Sequence, residues 1–285
     1  MPTFDTPDPI AASIELGVGD VRITAGERTD TSVAIEPRDP GNAQDREFAE
    51  QTRVDYASGR LSVKAPMRRL RRSGGSIVVT VALPAGSDLH GVGGMADFHS
   101  DGSLGDCRLR TGAGRIDLDA VGDLNVKSGA GDVSVQRVRG TTEIRVATGD
   151  VRLRELGGSA LIKKSNDDTW VGRVEGDLRV TTANGDISVD VAEASVTART
   201  ARGDLRVGDA ARGSVALETH LGDVEVGIRE GTAAWLDVRS AAGAVHNDLA
   251  ASDRPDAAAE TLEVRARTHL GDIVITRPAA AAVSA

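Results

Sequence analysis

Aspartate recurs along this chain in a pattern that could do chemistry. Gly131-Asp132, Gly149-Asp150, Gly185-Asp186, Gly203-Asp204, Gly222-Asp223 and Gly271-Asp272 each open an alternating aliphatic run, and an isolated copy stands at Gly19-Asp20. Carboxylates repeated on successive turns can cage calcium, as in rolls built on Gly-Gly-x-Gly-x-Asp every nine residues. A nine-residue half-period exists here, in Gly122-Asp123 then Gly131-Asp132 and in Gly176-Asp177 then Gly185-Asp186. But Asp follows the last glycine directly, as in Ser128-Gly129-Ala130-Gly131-Asp132-Val133, and the double glycine and spacer are missing. The pattern instead predicts aspartates that accept backbone N–H groups in their own turns. No metal or cofactor is assigned.

The five histidines are His90, His99, His220, His246 and His269. His220 and His269 occupy equivalent places in two Thr-His-Leu-Gly-Asp copies, which reads as a feature of the repeat. His90 and His99 stand near Asp97 and Asp101, but at no spacing of a known metal-ligand class. The chain has no nucleophile elbow, no His-Glu-x-x-His and no phosphate-binding glycine loop before a helix. The Gly91-Val92-Gly93-Gly94 run lacks a following helix. No catalytic residue is assigned. Cys107 is the single cysteine, so no intrachain disulfide forms, and its aliphatic position predicts a small buried hydrophobe.

The elements behind these residues are short and periodic. The turn position falls at Gly114, Gly131, Gly149, Asp167, Gly185, Gly203, Gly222, Gly243 and Gly271, spaced about eighteen residues apart until an insertion around Ser252–Ala257 lengthens the last step. Before each turn runs a second alternating set, such as Leu124/Val126/Ser128, Leu178/Val180/Thr182, Val196/Ala198/Thr200 and Val215/Leu217/Thr219. Period-two alternation marks a strand with one buried face. Each repeat is therefore two strands joined by a glycine turn, and a following apolar residue such as Val121, Val138, Leu156 or Val174 suggests a third short side. One unit cannot bury its apolar face alone, so stacked units must share a core. Coils about 4.8 Å apart give a rod of roughly 50 Å for ten coils. Thr111, Ser128, Thr182, Thr200, Thr219, Ser240 and Thr268 would line up as a hydroxyl ladder inside the turn. The fold class is all-β, a parallel β-solenoid with about 18-residue coils and two principal sheets.

One coil breaks the pattern. Lys163, Lys164, Asn166, Asp167, Asp168 and Trp170 occupy positions filled elsewhere by Thr, Gly, Asp and aliphatic residues. A departure from a local rule marks either a functional site or repeat drift, the latter with Lys164 turned outward through a bulge. The stretch Gly86–Leu104 is similarly degenerate. Residues 1–85 read as a β-rich capping region, with strands at Thr31–Glu36, Arg53–Tyr56, Arg60–Lys64 and Ser76–Leu83 and one short helix at Asn42–Gln51. Residues 86–277 form the solenoid, and 278–285 a disordered tail. The cap has a purpose, since an open solenoid end exposes unpaired strand edges. No comparable cap is evident at the C-terminal end.

Composition bounds the function. Aromatic residues are only 2% of the chain, so the core is narrow and aliphatic. A net charge of −9 argues against a nucleic-acid partner held by long-range attraction. The basic run Arg68-Arg69-Leu70-Arg71-Arg72 is the exception, either an exposed loop or a contact for an acidic partner or anionic lipid. No signal-like apolar segment opens the sequence and no run is long enough to span a membrane, which leads us to expect a cytoplasmic protein, with peripheral association with the envelope as a further option.

The Gly-Asp-Val-Arg-Ile copy at Gly19–Ile23, the Val-Ala-Leu-Pro-Ala-Gly-Ser segment at Val81–Ser87 and the downstream Gly-Asp-aliphatic repeats together resemble the bacterial DUF4097 family, related to actinobacterial β-strand-repeat proteins. The resemblance covers nearly the full chain. Members are provisionally labelled adhesins, which implies interaction at an envelope. Three functions follow as expectations. The first is a non-enzymatic scaffold that engages a protein or envelope partner through its ribbed face. The second is self-association through solenoid ends into bactofilin-like filaments. The third is a carbohydrate-active β-helix enzyme, which would need acidic residues paired in a cleft away from the turns.

Overall fold

The computed structural model describes residues 2–66, 75–249 and 260–277. The chain forms two compact units, Met1–Gly149 and Asp150–Ala285. Both are stacks of parallel strands, and the one helix among the described residues lies in the first.

In the first unit, Ala11–Gly26 and Asp88–Ser103 are long enough to turn a corner and serve both sheets. They pair in parallel, Ala12 with Leu89 and Ile14 with Gly91 before the corner, Val21 with Phe98 after it. The next coils add Cys107–Ala113 and Ile116–Val121, then Leu124–Ala130 and Val133–Val138, then Thr142–Thr148. Register does the sorting. Because pairing is in phase from coil to coil, every inward residue stands over another, giving columns such as Leu109–Val126–Ile144 and Ile116–Val133, all buried. Each such side chain contributes about 1.5–3 kcal/mol. Val121 and Val138 are buried too, but they close the second strand instead of starting a third side.

The first coil is covered by an antiparallel cap. Arg60–Lys64 pairs with Ala11–Glu15 and is itself paired antiparallel to Arg53–Ala57. Ile77–Pro84 pairs with Gly19–Gly26, then antiparallel with Asp30–Pro37, which in turn pairs with Thr3–Asp5. The helix Ala43–Gln51 begins where the Asn42 side chain accepts the Gln44 N–H at 2.9 Å. It is anchored by buried Phe48 and by buried Asp45, whose carboxylate accepts the N–H groups of Asp39 and Ser76 at 3.0 and 2.8 Å.

In the second unit the coils do not stack in sequence order. Gly213–Leu221 pairs with Thr261–Leu270, and Val224–Ile228 with Ile273–Thr276. The coil formed by Ala233–Ala242 and Val245–Asn247 pairs only on the far side of these strands. The last coil in sequence is thus inserted between its two predecessors, which corrects the simple succession implied by the aligned glycines. The inward sets explain the choice. Leu262, Val264 and Ala266 are fully enclosed, whereas Leu236 and Val238 take the half-covered outer place. His220 and His269 consequently meet across adjacent strands, with ring centroids 4.9 Å apart.

Candidate interaction surface

The recurrent aspartates hold coils together. Asp186 Oδ1 accepts the Asp204 N–H at 2.8 Å, Asp204 that of Asp223 at 2.8 Å, and Asp223 that of Asp272 at 2.7 Å. In the first unit Asp88 accepts from Asp106 at 2.8 Å, Asp106 from Asp123 at 3.1 Å and Asp123 from Thr141 at 2.6 Å. The expectation that each Asp bonds within its own turn is corrected, because the N–H it meets belongs to the equivalent position one coil on. The hydroxyl column is corrected likewise. Thr182, Thr200 and Thr219 donate to turn carbonyls two residues ahead, at 2.9, 3.1 and 3.3 Å, instead of to one another.

In the irregular coil, Lys164 is not turned outward. It is buried at 8% exposure in the hydroxyl column, and its ammonium donates to the Asp168 carbonyl. Asp167 takes the turn position at φ 72°. Trp170 does not take an aliphatic place. It lies in register with Arg152 and Ser188 on the outward face, and its indole N–H donates to Asp190 at 3.2 Å. Asn184 donates to Asn166 at 3.0 Å. Every one of these groups serves the stack itself.

Asp88, Leu89 and His90 of the degenerate stretch line a groove in the first unit together with the three coils that follow. Its volume is about 450 Å³, its floor is Leu89, Cys107, Leu124 and Thr142, and its rim carries Asp88, Asp106 and Asp123. One residue further along each strand lies an outward row, His90, Arg108, Asn125 and Glu143, each in register with the next. Asn125 donates to Glu143 at 2.9 Å, and Arg145 pairs with Glu143 at 2.6 Å. The next outward row is basic: Arg110, Lys127 and Arg145. Burial pushes the Cys107 thiol up to about 12, with Asp88 and Asp106 adding to the effect, so at neutral pH it is an enclosed, unreactive group. The other sheet of this unit carries Asp101, Asp117 and Asp119, with Arg22 and Arg137 also exposed on it. His99 stands there between Asp101 at 3.3 Å and Asp117 at 3.5 Å. His90 and His99 are therefore on different sheets, each in register with a different strand of the next coil. Among the described residues no three His, Cys, Asp or Glu side chains gather as a metal site. Gly91 of the glycine run makes room for Phe98, since a Cβ there would lie 2.5 Å from the ring, and Gly93 makes room for Ala96, whose Cβ would be 2.4 Å away.

A charge network in the second unit escaped the sequence reading. Arg229 pairs with Asp209 and Glu193, each at 2.7 Å, and Arg173 reaches Glu193 at 2.5 Å. Hydrogen bonding from Arg229 holds the Glu193 carboxyl below its ordinary value, and the same bonds raise Arg229. The signal was available. Glu193 and Arg229 each follow the last buried residue of a second strand, and Ala211 between them is small enough to be crossed. The basic run Arg68–Arg72, the loop Ser252–Ala257 and the tail 278–285 lie outside the described residues. No helix among the described residues is long and apolar enough to cross a membrane.

The architecture defines a parallel β-solenoid whose turns are tied by aspartate and threonine. Residues 12–276 match the Toastrack DUF4097 family model, and the chain belongs to that family. No curated protein matches the sequence significantly. Among solved structures, the chain is similar to a protein of Clostridium sporogenes ATCC 15579 provisionally described as a cell adhesion protein. Identity is 11%, coverage 97% of this chain and 98% of that one, and the TM-score 0.23. Two provisionally described adhesins are also similar. That of Parabacteroides distasonis ATCC 8503 has 11% identity, coverage of 96% and 95%, and a TM-score of 0.31. That of Bacteroides fragilis NCTC 9343 has 13% identity, 96% coverage of each chain and a TM-score of 0.28.

Proposed function

We propose that this chain is a non-enzymatic binding scaffold that engages a protein or envelope partner through the outward rows of its sheets. The observation that carries this reading is the division of labour among polar groups. The residues that recur, Asp and Thr, are bonded into the stack, while those that vary from coil to coil face outward in rows about 4.8 Å apart. In the first unit one sheet presents Arg108, Arg110 and Lys127, and the other presents Asp101, Asp117 and Asp119. Such a surface suits a partner that reads a flat, periodic charge pattern.

The carbohydrate-active alternative gains nothing from the groove. Asp88, Asp106 and Asp123 stand at the turns, each accepting a backbone N–H, and Glu143 is held by Asn125 and Arg145. The test is binding to host envelope fractions by the full chain and by Arg110→Glu/Lys127→Glu. Retention that falls at least about tenfold in the variant, and falls with salt in the wild type, is the expected result. Equal retention by both would remove the basic face from the reading. Turnover of a polysaccharide, abolished by Asp123→Asn, would replace the scaffold with an enzyme.

A further inference from the structure

The outermost coil of the second unit is built from Ala233–Ala242 and Val245–Asn247. Ala233–Ala242 pairs with Thr261–Leu270 along one edge, and among the described residues no strand pairs with the other. Its inward residues Leu236 and Val238 are half-buried, whereas Val264 and Ala266 directly beneath them are fully buried. Trp235, on the outward side, is 83% exposed. Ten residues of strand without Pro or bulge form a template for another strand.

We infer that the occupant is a second copy of this chain, with the two Ala233–Ala242 strands pairing antiparallel about Val238. The charges single out this arrangement. Val238 is flanked by Asp237 and Arg239. A twofold axis at Val238 places Asp237 opposite Arg239 of the second copy, and Arg239 opposite its Asp237. On the inward face the same axis sets Val238 against Val238 and Leu236 against Ser240, extending the core columns by one strand. On the outward face Trp235 lies over Ala241. Within one chain Arg239 stands opposite Arg267, a like-charged neighbour, and the one carboxylate of Asp237 serves both, with Arg267 at 3.3 Å. Arg239 is 74% exposed and Asp237 answers it only from along the same strand, at 3.2 Å. A carboxylate arriving on the open side offsets that repulsion. A head-to-tail contact supplies no such symmetric match.

Sedimentation of the full chain over a wide concentration range tests this, alongside Asp237→Arg, Arg239→Asp and the double variant. The wild type is expected to dimerise. Each single variant sets like charges opposite one another twice and weakens the dimer by at least about tenfold, and the double variant restores it. Arg239→Asp relieves the contact with Arg267, so it remains folded even if Asp237→Arg does not. Its thermal melt provides the control. In a Trp170→Phe background, Trp235 emission shifts to the blue as the dimer forms. A strict monomer at every concentration overturns the proposal. So does a dimer that Arg239→Asp leaves unchanged, or assembly that grows past the dimer into filaments.

Discussion

Two corners of the second unit make the same bend by different means. At Gly203 the backbone takes φ 140°, the Thr200 hydroxyl closes the turn at the Arg202 carbonyl, and a Cβ would lie 2.2 Å from the Gly185 carbonyl oxygen. At Asp167 the backbone takes φ 72° with a side chain present, and a lysine reaches in from position 164. The first corner works by leaving room, so that successive backbones stack closely. The second keeps a side chain at the bend and carries the donor on a longer arm to a carbonyl four residues ahead. Departure from the repeat here is thus a second structural solution, with Lys164 doing for Asp168 what Thr200 does for Arg202.

The sharpest way to break this comparison is to put a side chain where only glycine fits. Gly203→Ala should cost about 3–5 kcal/mol, combining a left-handed backbone with a backbone clash. Asp167→Ala should cost about 1 kcal/mol or less, since that corner already holds a Cβ. Denaturant melts of the two variants decide the matter, and similar losses would mean the corners are equivalent after all.

The irregular corner can be tested by conversion. Lys164→Thr alone should lose about 1 kcal/mol, because a threonine hydroxyl cannot reach the Asp168 carbonyl. Adding Asp167→Gly rebuilds the regular corner and relieves the positive φ, so the pair should exceed the wild type by about 1 kcal/mol. A pair less stable than Lys164→Thr alone would show that Asp167 has a part in this coil that glycine cannot fill. An effect of similar size comes from the ladder. Asp204→Ala removes one acceptor from the Asp223 N–H and should cost about 1 kcal/mol by thermal melt, with no change in coil register.

The corner rule was legible because it is local: glycine, aspartate and alternating aliphatics recur at one spacing, and each reports on its own turn. So were the short strands and the helix of the N-terminal region, which carry their own turn signals, but Ala11–Gly26, which joins the stack, falls within the residues expected to be cap. What needed coordinates was anything set by neighbours. The direction of the Asp ladder depends on which coil lies next, and the alternating pattern of Thr261–Leu270 is as compatible with the last place as with an inserted one. Gly91 and Gly93 read as a failed loop until Phe98 and Ala96 are seen to fill the space opposite them. In the groove, the floor residues Cys107 and Leu124 were readable as aliphatic columns, but Leu89, within the degenerate stretch, and the outward rows were not. Alternation says only that a residue faces solvent, and register decides which others stand beside it.

The mildest test concerns a link between coils that bypasses the corners altogether. Arg229 reaches over Ala211 to Glu193, two coils away, and its hydrogen bond holds the Glu193 carboxyl below the ordinary value of 4.5. A carboxyl lowered in the folded state adds stability above its unfolded value, and that stability is lost as pH falls through the folded one. Arg229→Gln should therefore melt earlier than the wild type at neutral pH, by less than about 1 kcal/mol because the charges are partly solvated. The gap should close as pH drops below the ordinary carboxylate range. Melting curves across that window are the measurement. A gap that persists undiminished in acid would mean that Arg229 stabilises the stack by packing over Ala211, and that coils here are held, as at Gly203, by shape more than by charge.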